Sequence, residues 1–285
     1  MLKYNWKVQI NESGLSLAHF LKEKLGISSK KIKNLIDLGS VTINKRIEKY
    51  SNFIVASGDN IELLEKDVLS IEKLKPIYED ETVVVFNKPP FISTEELALV
   101  FNKLILVHRL DKETSGAIIF AKTEAESIYI KNSFKERLIE KTYIAVADGL
   151  LKTQVTKTDY LGIKSEKLGQ KIMESKRNPK EGLLSITDFE PIDYSSNCTL
   201  VICKPKTGRT HQIRVHLSEL GHPILGDWTY GQKFRCSHIP SRVMLHALNL
   251  KFMNSKNKLI SLQAPIYQDI KDFLPRVGLI RHKIF

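Results

Sequence analysis

The sequence predicts an α+β protein: a mixed, mainly antiparallel sheet with few helices, preceded by a small α/β unit. Three observations carry this. Apolar, β-branched runs recur at Thr82–Phe86, Ala117–Ala121, Cys198–Cys203 and Val243–Leu250, and such runs suit buried strands. Helical spacing is confined to a few short stretches, without the regular alternation of strand and helix that builds a parallel sheet. A charge-rich segment with no clear period, residues 65–75, separates a front unit at 14–64 from a larger one at 76–285.

The front unit reads as two helices followed by strands. Leu17, Leu21 and Leu25 recur at helical spacing, and Gly26 suits the left-handed turn that ends a helix. Ser28 is placed to cap a second helix with Ile32, Leu35 and Ile36 facing inward, while Lys30, Lys31 and Lys33 fall largely on its other faces. Val41–Asn44 alternates like a strand, and Ser57-Gly58-Asp59-Asn60 is a turn before a second strand at Ile61–Leu64.

In the larger unit, the strand at Thr82–Phe86 stops at Asn87-Lys88-Pro89-Pro90, because two prolines cannot stay in a ladder. The polar stretch His108-Arg109-Leu110-Asp111-Lys112-Glu113-Thr114-Ser115-Gly116 feeds the next strand. A loop held by a strand is a common place for reactive groups. Taken alone, Asp111 beside Arg109 reads first as a surface ion pair at a strand entrance. Glu124–Arg137 is expected to be helical, with Ile130, Phe134 and Leu138 on one face. Glu140–Ala147 reads as a strand, residues 152–182 as a lysine-rich hairpin or excursion, and Ile213, Leu217 and Leu220 as a helix closed by Gly221.

Composition narrows the function. Lys and Arg number 44 against 32 acids, a net charge of +12. A field of that sign draws in polyanions, nucleic acid first among them. No stretch approaches the roughly 18 apolar residues of a membrane span, and Met1–Lys7 lacks the apolar core of a signal peptide. Cys198, Cys203 and Cys236 are an odd count without a Cys-x-x-Cys pair. They suit reduced thiols rather than disulfides or zinc. The expectation is a cytoplasmic monomer without membrane contact.

Two resemblances sharpen this. Leu35-Ile-Asp-Leu-Gly-Ser-Val-Thr-Ile-Asn44, with Gly58-Asp59-Asn60-Ile61 after it, resembles the S4 RNA-binding domain over about fifty residues. That family usually carries charges near Ser16-Leu17-Ala18 and an arginine near Ser29. Here they are absent, and Lys30, Lys31 and Lys33 are the expected substitutes. Further on, five motifs occur in one order: Asn87-Lys-Pro-Pro90, His108-Arg-Leu-Asp-x-x-Thr-Ser-Gly116, Glu140-Lys-x-Tyr-x-Ala145, Thr207-Gly-Arg-Thr-His-Gln-Ile-Arg-Val-His216 and Gly221-His-Pro-Ile-Leu-Gly-Asp227. The series is similar to the RluA family of RNA pseudouridine synthases over about residues 76–265.

That resemblance implies a pseudouridine synthase fold and assigns roles. Asp111 is the essential carboxylate, Arg214 its partner, and Tyr143 lines the pocket against the uracil. Arg109 enters the RNA where the base leaves, Leu245 packs on the base, and Arg209 contributes to substrate binding. The substrate is RNA, ribosomal rather than transfer RNA. The reaction breaks the N1–C1′ bond of a uridine, turns the base and rejoins it through C5, so no cofactor or metal is required. The carboxylate can attack C1′ or take a proton from C2′, and the sequence leaves both open. One departure concerns substrate choice: family members usually follow Lys-Pro-Pro with glycine and then a His-Pro pair, where this chain has Phe91-Ile-Ser-Thr-Glu95 and a shorter link to His108.

Rival readings are weaker. A non-catalytic RNA-binding or ribosome-assembly protein could use the same fold, but Asp111, Tyr143 and Arg214 are all present. A glycoside or nucleoside hydrolase normally needs two catalytic carboxylates, and no second one accompanies the motif. His211 and His216 are five apart, unlike a helical metal pair, so His108, His211 and His216 are read as structural hydrogen-bonding groups. His108-Arg-Leu-Asp111 faintly matches a kinase catalytic loop, but no glycine-rich loop or Asp-Phe-Gly goes with it.

Overall fold

The computed structural model describes residues 2–280 apart from 38, 49, 65–70 and 168–169. The chain divides into two units, Met1–Ile71 and Glu72–Phe285. Residues 65–70 of the expected linker therefore lie outside the described part, and Ile71–Lys73 form a 3-10 turn.

In the first unit, α1 (Leu17–Leu25) starts at Ser16, whose hydroxyl accepts from the His19 N–H, and ends at Gly26 in the left-handed conformation. The helix α2 (Ser29–Asp37) follows, with Ser28 Oγ accepting from the Lys31 N–H at 3.4 Å. Leu17, Phe20 and Leu21 of α1 meet Ile32 and Ile36 of α2 in one core. The strands are β1 (Leu2–Lys7), β2 (Val41–Ile43), β3 (Arg46–Ile47) and β4 (Asn60–Leu64), in the order β1-β4-β2-β3. The reading of the front unit from residue 14 missed β1, whose partner β4 lies far along the chain. Lys31 and Lys33 are exposed on α2; Lys30 is in its first turn, and its side chain lies outside the described residues.

The second unit is built on one large sheet. Its strands are β5 (Pro76–Glu79), β6 (Val83–Lys88), β7 (Ile105–Leu106), β8 (Ser115–Ala121), β9 (Glu140–Asp148), β10 (Val155–Lys167), β11 (Gln170–Lys176), β12 (Leu183–Tyr194), β13 (Cys198–Pro205), β14 (Leu245–Met253) and β15 (Leu259–Gln263). Among the described residues the order is β11-β10-β12-β13-β9-β14-β8-β6-β5, with β15 on β14 and β7 on β8. Pairing is antiparallel except between β14 and β8. This mixed, mainly antiparallel sheet with few helices is the predicted class.

Helices cover the sheet and explain why its central strands are apolar throughout. All of β8 is buried. Ala117 and Ile119 face a cluster that includes Ile130 of α4 (Glu124–Lys135). Phe120 faces the other way and packs edge-on against Phe86, which stacks on Phe101 at the end of α3 (Thr94–Val100). The helices α5 (Gln212–Glu219) and α6 (Gln268–Arg276) cover the main core, contributing Ile213, Leu217, Ile270 and Phe273. Each fully buried large apolar side chain is worth about 1.5–3 kcal/mol. Leu138, expected on the inner face of α4, is 63% exposed. The helix stops first, with Arg137 at φ 63°, so the spacing that ends at Phe134 no longer applies. Within 152–182, β10 and β11 pair antiparallel, and Ser175 ties β11 to the carboxylate of Glu219 on α5.

One glycine is set by this packing. Gly116 sits at φ +115° where β8 meets β14, and an added Cβ would lie 2.2 Å from the Ala247 carbonyl oxygen. Two backbones meet there, so neither side can give way. Replacement of Gly116 by Ala is expected to cost more than about 2 kcal/mol, read as a lowered urea midpoint; an unchanged midpoint would refute the close approach.

Candidate active site

The site is assembled on the loop between β7 and β8. Asp111 accepts a turn bond from the Thr114 N–H through its backbone carbonyl. Neighbouring groups fix the loop from three sides. Thr94, the first residue of α3, accepts from the Leu110 N–H at 3.1 Å and donates to the Leu110 carbonyl at 3.0 Å. Lys88, fully buried at the end of β6, donates to the carbonyls of Pro89, Ile92 and Lys112 at 3.0, 2.8 and 3.2 Å. Burial, with the charge of Arg242, pushes its ammonium down to about 7, while those three carbonyls take its three hydrogens. Arg242, also fully buried, donates to the Glu113 carbonyl at 3.4 Å and pairs with Asp269 of α6 at 2.5 and 3.0 Å.

Phe91, where the related pattern has glycine, keeps a left-handed backbone at φ 68°. A side chain there costs about 1–2 kcal/mol, and the ring is buried. The departure after Lys-Pro-Pro is thus the lead-in to α3, whose start is a capping box between Ser93 and Glu96.

Arg214 reaches Asp111 from α5. Its Nη1 lies 3.4 Å from Asp111 Oδ2, as the sequence led one to expect. Its shorter bonds go elsewhere: Nε and Nη2 donate to Asp227 at 2.6 and 2.8 Å. The pair is bidentate and buried, the strong geometry for Arg with a carboxylate. Burial pushes the Asp227 carboxyl up, but the charge and hydrogen bonds of Arg214 outweigh it and hold it below its usual range. The guanidinium also lies 5.0 Å from the Tyr230 ring centroid. Asp227 and Tyr230 were absent from the residues singled out in the sequence. The only signal for Asp227 was its place at the end of the last motif.

The Asp111 side chain is 27% exposed. Its Oδ2 faces both Arg214 Nη1 and, at 3.8 Å, His211 Nε2. No protein group hydrogen-bonds Oδ1 among the described residues. Tyr143 stands on β9, where burial first and Asp111 second push its phenol up, so it stays protonated at neutral pH. Arg109 is 74% exposed and pairs at 3.0 Å with Glu95 on α3. Arg209 is half-buried, donating to the Leu184 carbonyl at 3.3 Å. Beside it, burial and the Arg209 charge push Lys141 down to about 8. Leu245 is 3% exposed and belongs to the main apolar core, which leaves little surface for a base.

The three histidines separate. His108 Nε2 accepts from the Ile119 N–H at 2.9 Å, and burial pushes its ring down to about 3. His216 Nδ1 lies 3.0 Å from Thr187 Oγ1. Both are structural. His211 bonds Tyr230 at 2.8 Å but also faces Asp111. Among the described residues, no group of three or more His, Cys, Asp or Glu side chains is arranged to hold a metal ion, and no helix is long and apolar enough to cross a membrane.

The mixed sheet thus bears one part-exposed carboxylate with a buried arginine against it and, within its electrostatic reach, a protonated tyrosine. The family described as RNA pseudouridylate synthase matches residues 82–219. An uncharacterized RNA pseudouridine synthase of Helicobacter pylori is 35% identical over 237 residues, covering 82% of this chain and 92% of the relative. A ribosomal large subunit pseudouridine synthase C of Buchnera aphidicola is 31% identical, covering 94% and 96%. Among solved structures, human RNA pseudouridylate synthase domain containing 1 superposes with a TM-score of 0.63 at 28% identity, over 76% of this chain and 94% of that one. The chain belongs to the RNA pseudouridine synthase family.

The Arg214–Asp227 pair leads to a test of stability. Asp227→Asn leaves the buried guanidinium short of charge and is expected to cost about 3–5 kcal/mol at neutral pH. The sign with pH follows from the lowered carboxyl. The unfolded chain binds the proton more readily, so the contribution of Asp227 is complete above about pH 4 and is lost on further acidification. The deficit of the variant should therefore shrink in acid. Denaturation at two pH values measures it, and a deficit that grows in acid would contradict the pairing.

Proposed function

We propose that the protein converts specific uridines of large-subunit ribosomal RNA to pseudouridine, with Asp111 as the reacting carboxylate. The observation that carries this is the asymmetry of Asp111: Oδ2 faces Arg214 and His211, while Oδ1 makes no hydrogen bond to a protein group among the described residues. A nucleophile or base needs one free oxygen and an anchored one. The name carried by the Buchnera relative supports the ribosomal substrate. Redox-neutral isomerisation requires no cofactor or metal, and the enzyme acts as a cytoplasmic monomer.

The remaining groups take roles that fit their places. The target uridine must leave its stack, at a cost of a few kcal/mol. Arg109, exposed at the rim, enters the RNA as the base departs. Tyr143 offers a neutral phenol to the uracil, and Arg209 with Lys141 meets the backbone. Leu245 backs the pocket from within the sheet. The first unit acts as an S4-like RNA-binding domain, with the exposed Lys31 and Lys33 of α2 directed at phosphates.

Tritium release from RNA carrying 5-tritiated uridine tests the central claim. Asp111→Asn is expected to abolish release while RNA binding stays nearly intact; release at the parent rate would remove Asp111 from the chemistry. Arg214→Met should slow single turnover by roughly a hundredfold or more, whereas Arg109→Met should chiefly raise KM. Matching defects would count against that division. Pseudouridine maps of ribosomal RNA with and without the protein identify the target, and a loss confined to transfer RNA would overturn the ribosomal assignment.

The helix lysines are tested separately. Exchanging Lys31 and Lys33 for Glu should weaken RNA binding at all sequences and flatten its salt dependence by roughly one unit of slope per lost phosphate contact. Unchanged binding would show that the first unit grips RNA by another face or not at all.

A further inference from the structure

His211 is given no role of its own in the reading above, yet it is the second group on the anchored oxygen of Asp111. It precedes α5 at φ 55°, in the left-handed region, where a bulky residue is disfavoured. That backbone places the ring between two partners. Nδ1 lies 2.8 Å from the Tyr230 hydroxyl, and Nε2 lies 3.8 Å from Asp111 Oδ2. The Tyr230 hydroxyl in turn accepts from the Met173 N–H of β11 at 2.9 Å.

This chain of contacts has a direction. A backbone N–H can only donate, so the Met173 N–H occupies the acceptor side of the phenol oxygen. The phenol hydrogen is then available to donate to His211 Nδ1. A neutral imidazole whose Nδ1 accepts carries its hydrogen on Nε2, the nitrogen that faces Asp111. We propose that His211 is a positioning residue for Asp111: Tyr230 sets its tautomer so that an Nε2–H, together with Arg214 Nη1, holds Oδ2 and leaves Oδ1 to react. The proposal rests on the reading of Asp111 as the reacting carboxylate. A shift of about 0.8 Å would bring the Nε2 contact into hydrogen-bond range, and catalytic contacts commonly tighten along the reaction.

The surroundings favour a neutral ring. Burial pushes His211 down, and the Arg214 charge adds to that; Asp111, Asp227 and Glu113 oppose it without reversing it. Tyr230 remains protonated, pushed up to about 12 chiefly by burial. His211 therefore donates a hydrogen bond without exchanging a proton. The arrangement also couples the hairpin β10–β11 to the reactive carboxylate, since Met173 is the first link.

Two substitutions at one position separate positioning from folding. Asn tolerates the left-handed backbone better than most residues but is too short to reach Asp111. Gln fits the backbone less well yet carries an amide N–H out to the position of Nε2. His211→Asn is expected to lower kcat by roughly tenfold or more with KM little changed. His211→Gln should recover most of the rate, although its Tm is no higher. Tyr230→Phe should give an intermediate loss, and adding it to His211→Asn should cost nothing further. In the parent protein, nitrogen NMR of the imidazole should find Nε2 protonated and Nδ1 bare at neutral pH. A hydrogen on Nδ1, or equal rates for His211→Gln and His211→Asn, would overturn the role of His211. Retained isomerisation in Asp111→Asn would instead overturn the reading of the site, and this inference with it.

Discussion

The site depends on one buried ion pair. Arg214 and Asp227 lie almost out of contact with water, so each would be costly to bury alone. Bonded in two places, they form a fixed ion pair whose remaining Nη1 points at Asp111. The pairing solves a problem that a single arginine could not. An arginine bound only to the reactive carboxylate would have to move with it. With its planar fork locked on Asp227, the guanidinium offers Asp111 a field without following it. Tyr230 adds to this rigidity by placing its ring under the cation and its hydroxyl against His211.

The loop that bears Asp111 is held in an equally deliberate way. Lys88 and Arg242 are both fully buried, and both use hydrogens on backbone carbonyls within the motif, Lys112 and Glu113. Buried cations that bind carbonyls fix a loop without needing a second side chain there. Thr94 holds Leu110 through both its backbone groups. The side chain of Asp111 can therefore stay part-exposed while its backbone is immobile. Catalysis by positioned groups needs this separation, because small misplacements of a reacting atom are costly.

Much of this was legible in the chain. The apolar run in β8, the capped helices α1 and α2, and the stop at Pro89 follow from side-chain sterics and local hydrogen bonding. Asp111, Arg214 and Tyr143 stood out only because five motifs occur in one order. Other elements escaped. The strand β1 is an ordinary mixed sequence that becomes a strand by pairing with β4, and β12, polar at many positions along its length, received no reading. The helix α3 had a visible signal in Ser93 and Glu96, obscured by its shortness and the preceding prolines.

By itself the sequence determined which side chains are chemically able to act, because charge, phenol and carboxylate are properties of residues. It also determined where strands and helices could form, since those preferences are local. Only the tertiary structure decided which groups share an oxygen. Asp227 is thirteen residues from Arg214 and His211 a hundred from Asp111, and the contacts of both are set by how α5 and the following segment pack on the sheet. Those distances arise from burial and backbone pairing summed over many elements. For that reason the stronger partner of Arg214 and the second group on Asp111 could be found only in the folded chain.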